Sequence, residues 1–519
     1  MQDHPTHRGQ TVRPLRTRVP LRTLLLLIGM GLMLPCYLFT VGNVCLSPWP
    51  LYERSRAALV LLTALCTAGL LLALRAVGRH EAFFARHERR LLIGFALFYF
   101  AVQMAMGAAL RFTPRTDLEQ CYTAAQLLVD TGSYGQNERS YLYFTRYPFN
   151  LGLVYLMAGI FRLFGALGLS DRFMQLVLVN SLLFTCGLLA GARVVRRLGG
   201  ACAQARFLIL TASCLPMLYC TTEIYTDSFS LAFPLMIAYA ALRIRDAQDA
   251  RHAAPWAAAF ALLTLIGSQI RFTTVIAAIA CLIALVLSRN PLRGIAALCV
   301  LLPVMLAGSA LVDAENAKHI APEEMAALEF SPLHHIAMGL PIHEDEGYGQ
   351  YGDGGWYIFS TSFDDPDERN AALLSEIIDR VYYLRYPNRL INMMSRKNLS
   401  TFGDGTFTLS EIIEADAPEP DSPVKAVIFR QGRFFGAYYH LCTALFMAQM
   451  LLACLSCAQA IRRRDADGAA LYITLLGAFL FLSIWETRGR YFFQFEMVLL
   501  AAAAILRTRQ PSPTPSAAR

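Results

Sequence analysis

A chain of 519 residues with 55% hydrophobic and only 16% charged residues has a mean hydropathy of +0.42. A soluble globular protein carries about 25% charged residues, so that class is excluded. The formal charge of +8 is carried almost entirely by arginine and forms no basic patch on a soluble face, which argues against a nucleic-acid partner. Many of the 13 cysteines (Cys36, Cys66, Cys186, Cys281 and Cys454 among them) fall inside apolar runs, where they act as small hydrophobes. The C-x-x-C at Cys454–Cys457 also sits in such a run and has no second pair, so neither disulfide nor zinc-thiolate chemistry is expected.

The first apolar run, Leu21–Val44, follows Arg13, Arg16, Arg18 and Arg22. It is too long for a cleaved signal and is expected to be a retained anchor with its N-terminus inside. Runs of the length that crosses a hydrocarbon core follow, and inside lipid only helices satisfy their own backbone. The candidate spans are 21–43, 57–77, 91–110, 173–192, 206–221, 227–243, 255–270, 272–288, 293–311, 435–460, 469–485 and 491–507. The stretch Phe149–Gly165 is short and ambiguous. The fold class is therefore an all-α polytopic membrane protein with about 12–13 transmembrane helices and a mixed extracytoplasmic segment.

Arginine clusters at Arg75–Arg90, Arg193–Arg206, Arg243–Arg251, Arg289–Arg293 and Arg462–Arg464 are the natural cytoplasmic turns. Counting from them places two polar stretches outside, Arg111–Tyr147 and Asp313–Arg433. The two counts agree when Phe149–Gly165 is in-plane or re-entrant and does not cross, giving 12 spans. A crossing there gives 13 and inverts every later loop. The larger stretch is long enough for a cap over a membrane site. It contains a turn cluster at Gly347–Gly355 and a helix-like run, Asp367–Leu384, with an acidic start. The tail Gln510–Arg519 is Pro/Ser-rich and expected to be disordered. The expected organisation is a two-span anchor over 1–90, a membrane core over 91–311, an extracytoplasmic segment over 312–433, the C-terminal spans over 434–507 and a tail over 508–519.

Candidate chemistry collects at the outer boundary. Asp117, with Glu119 two residues on, is placed to take a proton from an acceptor hydroxyl while Arg111 and Arg115 hold an anionic group. The same residues also suit a helix cap at Thr116 or Asp117. Glu223 and Asp227 lie in a very short turn between spans, where acids close to lipid mark function or cap a helix end. Arg271 between two apolar stretches must snorkel, pair with an acid or hold a phosphate. Glu486, Arg488 and Arg490 open the last span, as a site or as interfacial anchors. Together these acids and arginines suit a phosphate leaving group beside a carboxylate base, because the guanidinium fork binds two oxygens at once. His334, His335, His343, Glu344, Asp345 and Glu346 match no metal-ligand spacing and read as loop residues. Asn398-Leu-Ser400 fits a glycosylation sequon.

The order of these features resembles the GT-C superfamily of membrane glycosyltransferases, in particular bacterial relatives of the protein O-mannosyltransferase and aminoarabinose transferase group. It comprises an outer loop with an early Asp, Arg146-Tyr147-Pro148-Phe-Asn150 leading to Phe161-Arg-Leu-Phe-Gly165, the turn at Arg196-Arg197-Leu-Gly199, Tyr225-Thr-Asp227, and Arg488-Gly-Arg-Tyr491. It covers about residues 91–310 and 470–507. The resemblance implies a GT-C-like helical bundle, a polyprenyl-phosphate sugar donor, an extracytoplasmic acceptor (a cell-surface polymer, glycolipid or protein) and inversion at the anomeric carbon. It maps the catalytic carboxylate onto Asp117, with Glu119 able to share or replace it. Arg111, Arg115, Arg146, Tyr147, Glu223, Asp227, Arg271, Glu486, Arg488 and Arg490 then become substrate-binding candidates. No cofactor follows from it, and a divalent metal is left open. Asp117-Leu118-Glu119 departs from the Asp-Glu pair common in relatives, and the two spans before the core are an addition. The alternative from another class is a transporter or lipid-linked sugar flippase.

Overall fold

The computed structural model describes residues 20–47, 55–343, 346–414 and 421–507, and these are mostly helical. Arg13, Arg16, Arg18, Glu344, Asp345 and the tail from 508 lie outside the described residues. The first three helices are α1 (Leu21–Leu46), α2 (Arg56–Arg79) and α3 (Glu81–Ala109). Two short polar helices follow, α4 (Thr116–Asp130) and α5 (Glu138–Arg146), and then α6 (Leu151–Ala166). The long helix α7 (Arg172–Ser213) is two legs joined at Gly200, whose φ of 74° and ψ of −169° admit only glycine. Next come α8 (Thr226–Ser230), α9 (Phe233–Arg245), α10 (Ala250–Ile270), α11 (Val275–Val286) and α12 (Pro291–Asn316).

A polar segment of small helices then intervenes: α13 (Pro322–Leu328), α14 (Pro332–Met338), α15 (Trp356–Thr361), α16 (Pro366–Leu384), α17 (Pro387–Phe402), α18 (Leu409–Glu414) and α19 (Lys425–Ile428). The chain closes with α20 (Phe435–Arg463), α21 (Ala469–Ile484), α22 (Gly489–Phe493) and α23 (Glu496–Ala504). No strand occurs among the described residues. Among the described residues, nine helical stretches are long and apolar enough to cross a membrane. Large aliphatic side chains such as Leu72, Leu97, Leu306 and Leu311 are turned outward, an apolar exterior that only lipid tolerates. The chain is a multi-pass membrane protein.

The two ends of the bundle differ in chemistry. At one end Arg196 grips Glu88 through two bonds of 2.7 and 2.8 Å, Arg197 pairs with Asp246 at 2.8 Å and Arg507 with Asp465 at 3.0 Å. There Arg22 also donates to the carbonyl of Ser288 at 3.3 Å. All the arginine-rich turns among the described residues gather at this arginine end, and the polar helices gather at the other. Between the two, the described chain passes twelve times. The broken pair α22 and α23 makes one pass, and the two legs of α7 make two.

Helix α6 is not one of the passes, although its length and composition would allow it. Its first turn is fixed by Asn150, which donates to Tyr143 at 2.8 Å and accepts from Tyr225 at 3.4 Å. Its last turn runs into Asp171, held by Arg111 at the end of α3 through bonds of 2.8 and 2.9 Å. Arg172 beside it pairs with Asp130 at the end of α4. Both ends of α6 therefore lie at the same end of the bundle, and Arg162 ties it to α4 through the carbonyl of Leu128 at 3.0 Å. This agrees with the in-plane or re-entrant alternative for Phe149–Gly165.

The segment after α12 is more than a cap. Helix α17 runs antiparallel to the end of α1, with Tyr37 against Phe402 (6.3 Å between rings), Thr40 bonded to Asn398 at 2.7 Å and Asn43 to the carbonyl of Ser395 at 2.7 Å. Its C-terminal half is thus inserted among the spans. Asn398 is buried inside this helix, so the sequon there is closed to a glycosyl group. Further out, Glu346 and Arg380 form a buried pair at 2.5 Å, completed by the amides of Ile342 and His343.

A Cβ added at Gly152 in α6 would stand 2.0 Å from the carbonyl oxygen of Gln269. Backbone cannot yield, so Gly152→Ala should lower the stability of the purified protein by at least about 1–3 kcal/mol. An unchanged melting temperature would show that α6 is not docked on the end of α10.

Candidate functional site

Three interruptions of helix coincide at the end of the bundle opposite the arginine turns. The second leg of α7 stops at Ser213 and Pro216 starts a run of 3₁₀ turns that continues to Thr222. Helix α10 stops at Arg271, which is extended (φ −152°, ψ 113°) before the chain turns into α11. The loop from Trp485 ends at Arg488, also extended (φ −158°, ψ 149°), and leads into α22. Irregular backbone at such depth persists only where protein encloses it or a cavity needs it. Here Asn180 of α7 secures the first break by donating to the carbonyls of Thr221 (3.2 Å) and Glu223 (3.3 Å) and to Ser228 (2.8 Å). Gln494 bonds both Thr273 and Thr274, joining the second break to the third.

These breaks bring the charged groups together. Asp227, wholly buried, has one carboxylate oxygen 2.6 Å from Arg271 and the other 3.7 Å from Arg490. Arg490 also stands 3.6 Å from Asp117, whose side chain is 43% exposed. Arg271 is bonded to Thr226 at 3.0 Å and lies 4.8 Å over the ring of Tyr491, while Arg490 lies 5.1 Å over Tyr225. The aromatic faces favour the guanidinium planes and exclude water from them. Glu223 is buried with both oxygens unbonded. Burial pushes its carboxyl up and Asp227 adds to this, against the opposing pull of Arg490 and Arg271. The result is a charged floor of two arginines on one fixed acid, with a second acid at its open edge.

The polar segment reaches this floor through Glu486. That carboxylate accepts from Tyr491 and is 3.1 Å from Nδ1 of His335, and His335 stacks on Trp485 with ring centroids 4.8 Å apart. Burial would raise Glu486, but the bond from His335 and the charges of His335, Arg490 and His334 hold it below the usual range. Lys397, fully buried on α17, donates to the carbonyls of Gly339 and Trp485 and is brought down to about 7 by burial. The amide of Thr487 bonds to the carbonyl of Gly349 at 2.9 Å, at a turn where Gly349 has a φ of +79°. His334 donates to or accepts from Ser360 at 2.7 Å, and burial, helped by His335, holds it down at about 3.

Of the residues singled out from sequence, Asp117, Asp227, Arg271 and Arg490 converge, with Glu223 beneath and Glu486 one contact away through Tyr491. Others are drawn elsewhere. Glu119 points away from Asp117 and pairs with Arg139 at 3.0 Å, since residues two apart lie on opposite faces of a helix. Glu119 is therefore not part of the cluster that holds Asp117. Arg111 is held by Asp171, and Arg115 is the residue before α4. Arg146 bonds to Tyr357 and its carbonyl accepts from Phe330 at 3.1 Å, so it docks the polar segment. Tyr147 packs on Tyr143 and Phe330 in the same joint. Arg488 turns to Gln350 (3.2 Å) and Glu411 (3.9 Å). His334 and His335 are not loop residues but lie buried on α14, and they and the buried Glu346 each take a separate partner; among the described residues no group of three His, Cys, Asp or Glu side chains is arranged to hold a metal. Sequence reasoning missed Asn180 and Lys397, and it named Tyr225 and Tyr491 only as motif residues, with no role at the site. Only a polar residue inside an apolar run marked Asn180, and nothing local marked Lys397.

A polytopic helical membrane protein with a buried arginine–carboxylate cluster at one end is the class these features define. Residues 52–510 match the family described as "Conserved hypothetical integral membrane protein", and the chain belongs to that family. No curated protein matches. Among solved structures, the chain is similar to ArnT from Cupriavidus metallidurans bound to undecaprenyl phosphate, at 14% identity and a TM-score of 0.36, with 81% of this chain and 78% of that one covered. The apo state of the same ArnT gives 14% identity and a TM-score of 0.37 over the same shares.

Removing one partner of a buried charge cluster strands the rest. Asp227→Asn should therefore cost about 3–5 kcal/mol of stability, whereas Asp117→Asn, at the exposed edge, should cost less than about 1 kcal/mol; thermal melts of both variants check this. A second expectation concerns acid. His334 sits below its unfolded value of about 6.5, so its contribution is complete above that pH and is lost as pH falls toward 3. Melting temperature should drop over this window, and His334→Gln should flatten part of the slope.

Proposed function

We propose that the protein is an extracytoplasmic glycosyltransferase of the GT-C type that takes its sugar from a polyprenyl-phosphate donor. The observation that carries this reading is the pairing of Arg271 and Arg490 on one buried acid, Asp227, with the exposed Asp117 3.6 Å from Arg490. Asp227 is neutralised and fixes both guanidinium groups, leaving their remaining N–H donors for an anion. A donor phosphate would take those donors, because two planar forks match its oxygens. Asp117 is placed to accept a proton from an acceptor hydroxyl. The acceptor oxygen then bonds to the anomeric carbon as the carbon–oxygen bond to phosphate breaks. Polyprenyl phosphate leaves with the electron pair of that bond on its oxygen, the arginines meet the developing negative charge, and the anomeric carbon is inverted.

The gathering of the arginine-rich turns at the other end supports an exterior position for this cluster, since such turns favour the cytoplasmic side. The acids lie at that end rather than midway between two repeats, as a transporter site would.

The test is the protein reconstituted with a radiolabelled undecaprenyl-phosphate sugar and a panel of cell-surface acceptors. Asp117→Asn should reduce transfer by about 10²–10⁴-fold while its melting temperature stays near wild type. Arg490→Lys should weaken donor binding by removing the second phosphate contact. Undiminished turnover by Asp117→Asn would remove that residue from the reaction, and lipid translocated unchanged would mark a flippase.

A further inference from the structure

At the elbow between α16 and α17 lies a cavity of about 110 Å³ that the reaction does not use. Arg389 and Arg396 line it, with Asn388, Asn392, Tyr383 and Met393. Arg396 is buried, its terminal nitrogens are spent on the carbonyls of Pro341, His343 and Gly347, and its Nε has no partner. Arg389 rests 4.0 Å over Tyr383. No carboxylate lines the cavity among the described residues. Two cations and two amides around a small space, with a buried donor left unsatisfied, describe an anion site.

The depth of the elbow follows from the antiparallel run of α17 along α1. Tyr37 faces Phe402, Thr40 faces Asn398 and Asn43 faces Ser395. One further turn, about 6 Å, brings Ile391 and Asn392 level with Leu46, the last residue of the span. The elbow is thus at headgroup depth, beside a helix whose Leu38 and Leu46 face outward. Around the cavity the same elbow exposes Ile378, Val381, Tyr382, Leu390 and Ile391. Arg385 lies over Tyr382 and Tyr386 at 3.5 and 4.3 Å. Exposed aliphatics edged by tyrosine and arginine are what a membrane interface selects.

We propose that this elbow is a second lipid site, in which Arg389 and Arg396 hold the phosphate of an anionic phospholipid headgroup while the exposed aliphatics enter the acyl boundary. The site anchors the polar segment to the bilayer independently of the Asp227 cluster. Native mass spectrometry of the full-length protein in an equal mixture of phosphatidylglycerol and phosphatidylcholine tests it. Wild type should retain phosphatidylglycerol preferentially, and Arg389→Gln should reduce that retention roughly tenfold, the loss of one charged contact. Asn392→Glu places a carboxylate at the exposed rim without touching the buried contacts of Arg396, and should also abolish the preference. Equal retention of both lipids, or a preference that survives both variants, overturns the proposal. Binding of inorganic phosphate alone, without phosphatidylglycerol, would overturn the lipid assignment in favour of a free anion.

Discussion

Asp227 is a carboxylate with no exposed surface, and it is tolerated only because Arg271 and Arg490 stand beside it. Taking any of these charges out of water costs several kcal/mol, repaid only by close opposite charge. The constraint reaches far. Arg271 must leave α10 in an extended conformation to approach Asp227, and Arg490 must start a new short helix after an extended Arg488. The breaks at Arg271 and before Arg490 thus serve one electrostatic requirement. The supports around them, Asn180 and Gln494, supply hydrogen bonds that the interrupted helices gave up.

The polar segment serves the same cluster from above. Glu486 is bonded to Tyr491, over whose ring Arg271 lies, and to His335 of α14. Lys397 binds the carbonyls of Gly339 and Trp485, so one buried amine holds the polar segment and the loop before α22 together. The segment therefore has two attachments: polar bonds to the loop carrying Arg490, and the insertion of α17 beside α1. That insertion fixes its height above the bilayer and sets the elbow of α16 and α17 at headgroup depth.

Aromatic faces complete the site, a role that no spacing in the sequence assigns to them. Tyr225 and Tyr491 cover the guanidinium groups, and Tyr143 holds Asn150 at the start of α6. Because α6 stays in the plane, the loop carrying Asp117 and the turn carrying Asp227 can share one end of the bundle.

The sequence by itself determined the membrane class, the helices and the two polar stretches, because hydropathy and run length are local properties that lipid reads directly. It also marked Asp117, Asp227, Arg271 and Arg490, since ionised groups at the ends of apolar runs are costly enough to stand out. Only the tertiary structure decided which of them meet. Asp227 and Arg490 lie on elements far apart in the chain, and no periodicity connects them. The same is true of the arginines that went elsewhere: Arg111 to Asp171, Arg146 to Tyr357 and Arg488 to Gln350. Glu119 was the exception, since the pitch of a helix already turned it from Asp117. The path of α6 was undecided by composition, because an apolar run of that length suits a crossing or an in-plane helix equally. The bonds at its two ends, made by Asn150 and Asp171, settled it.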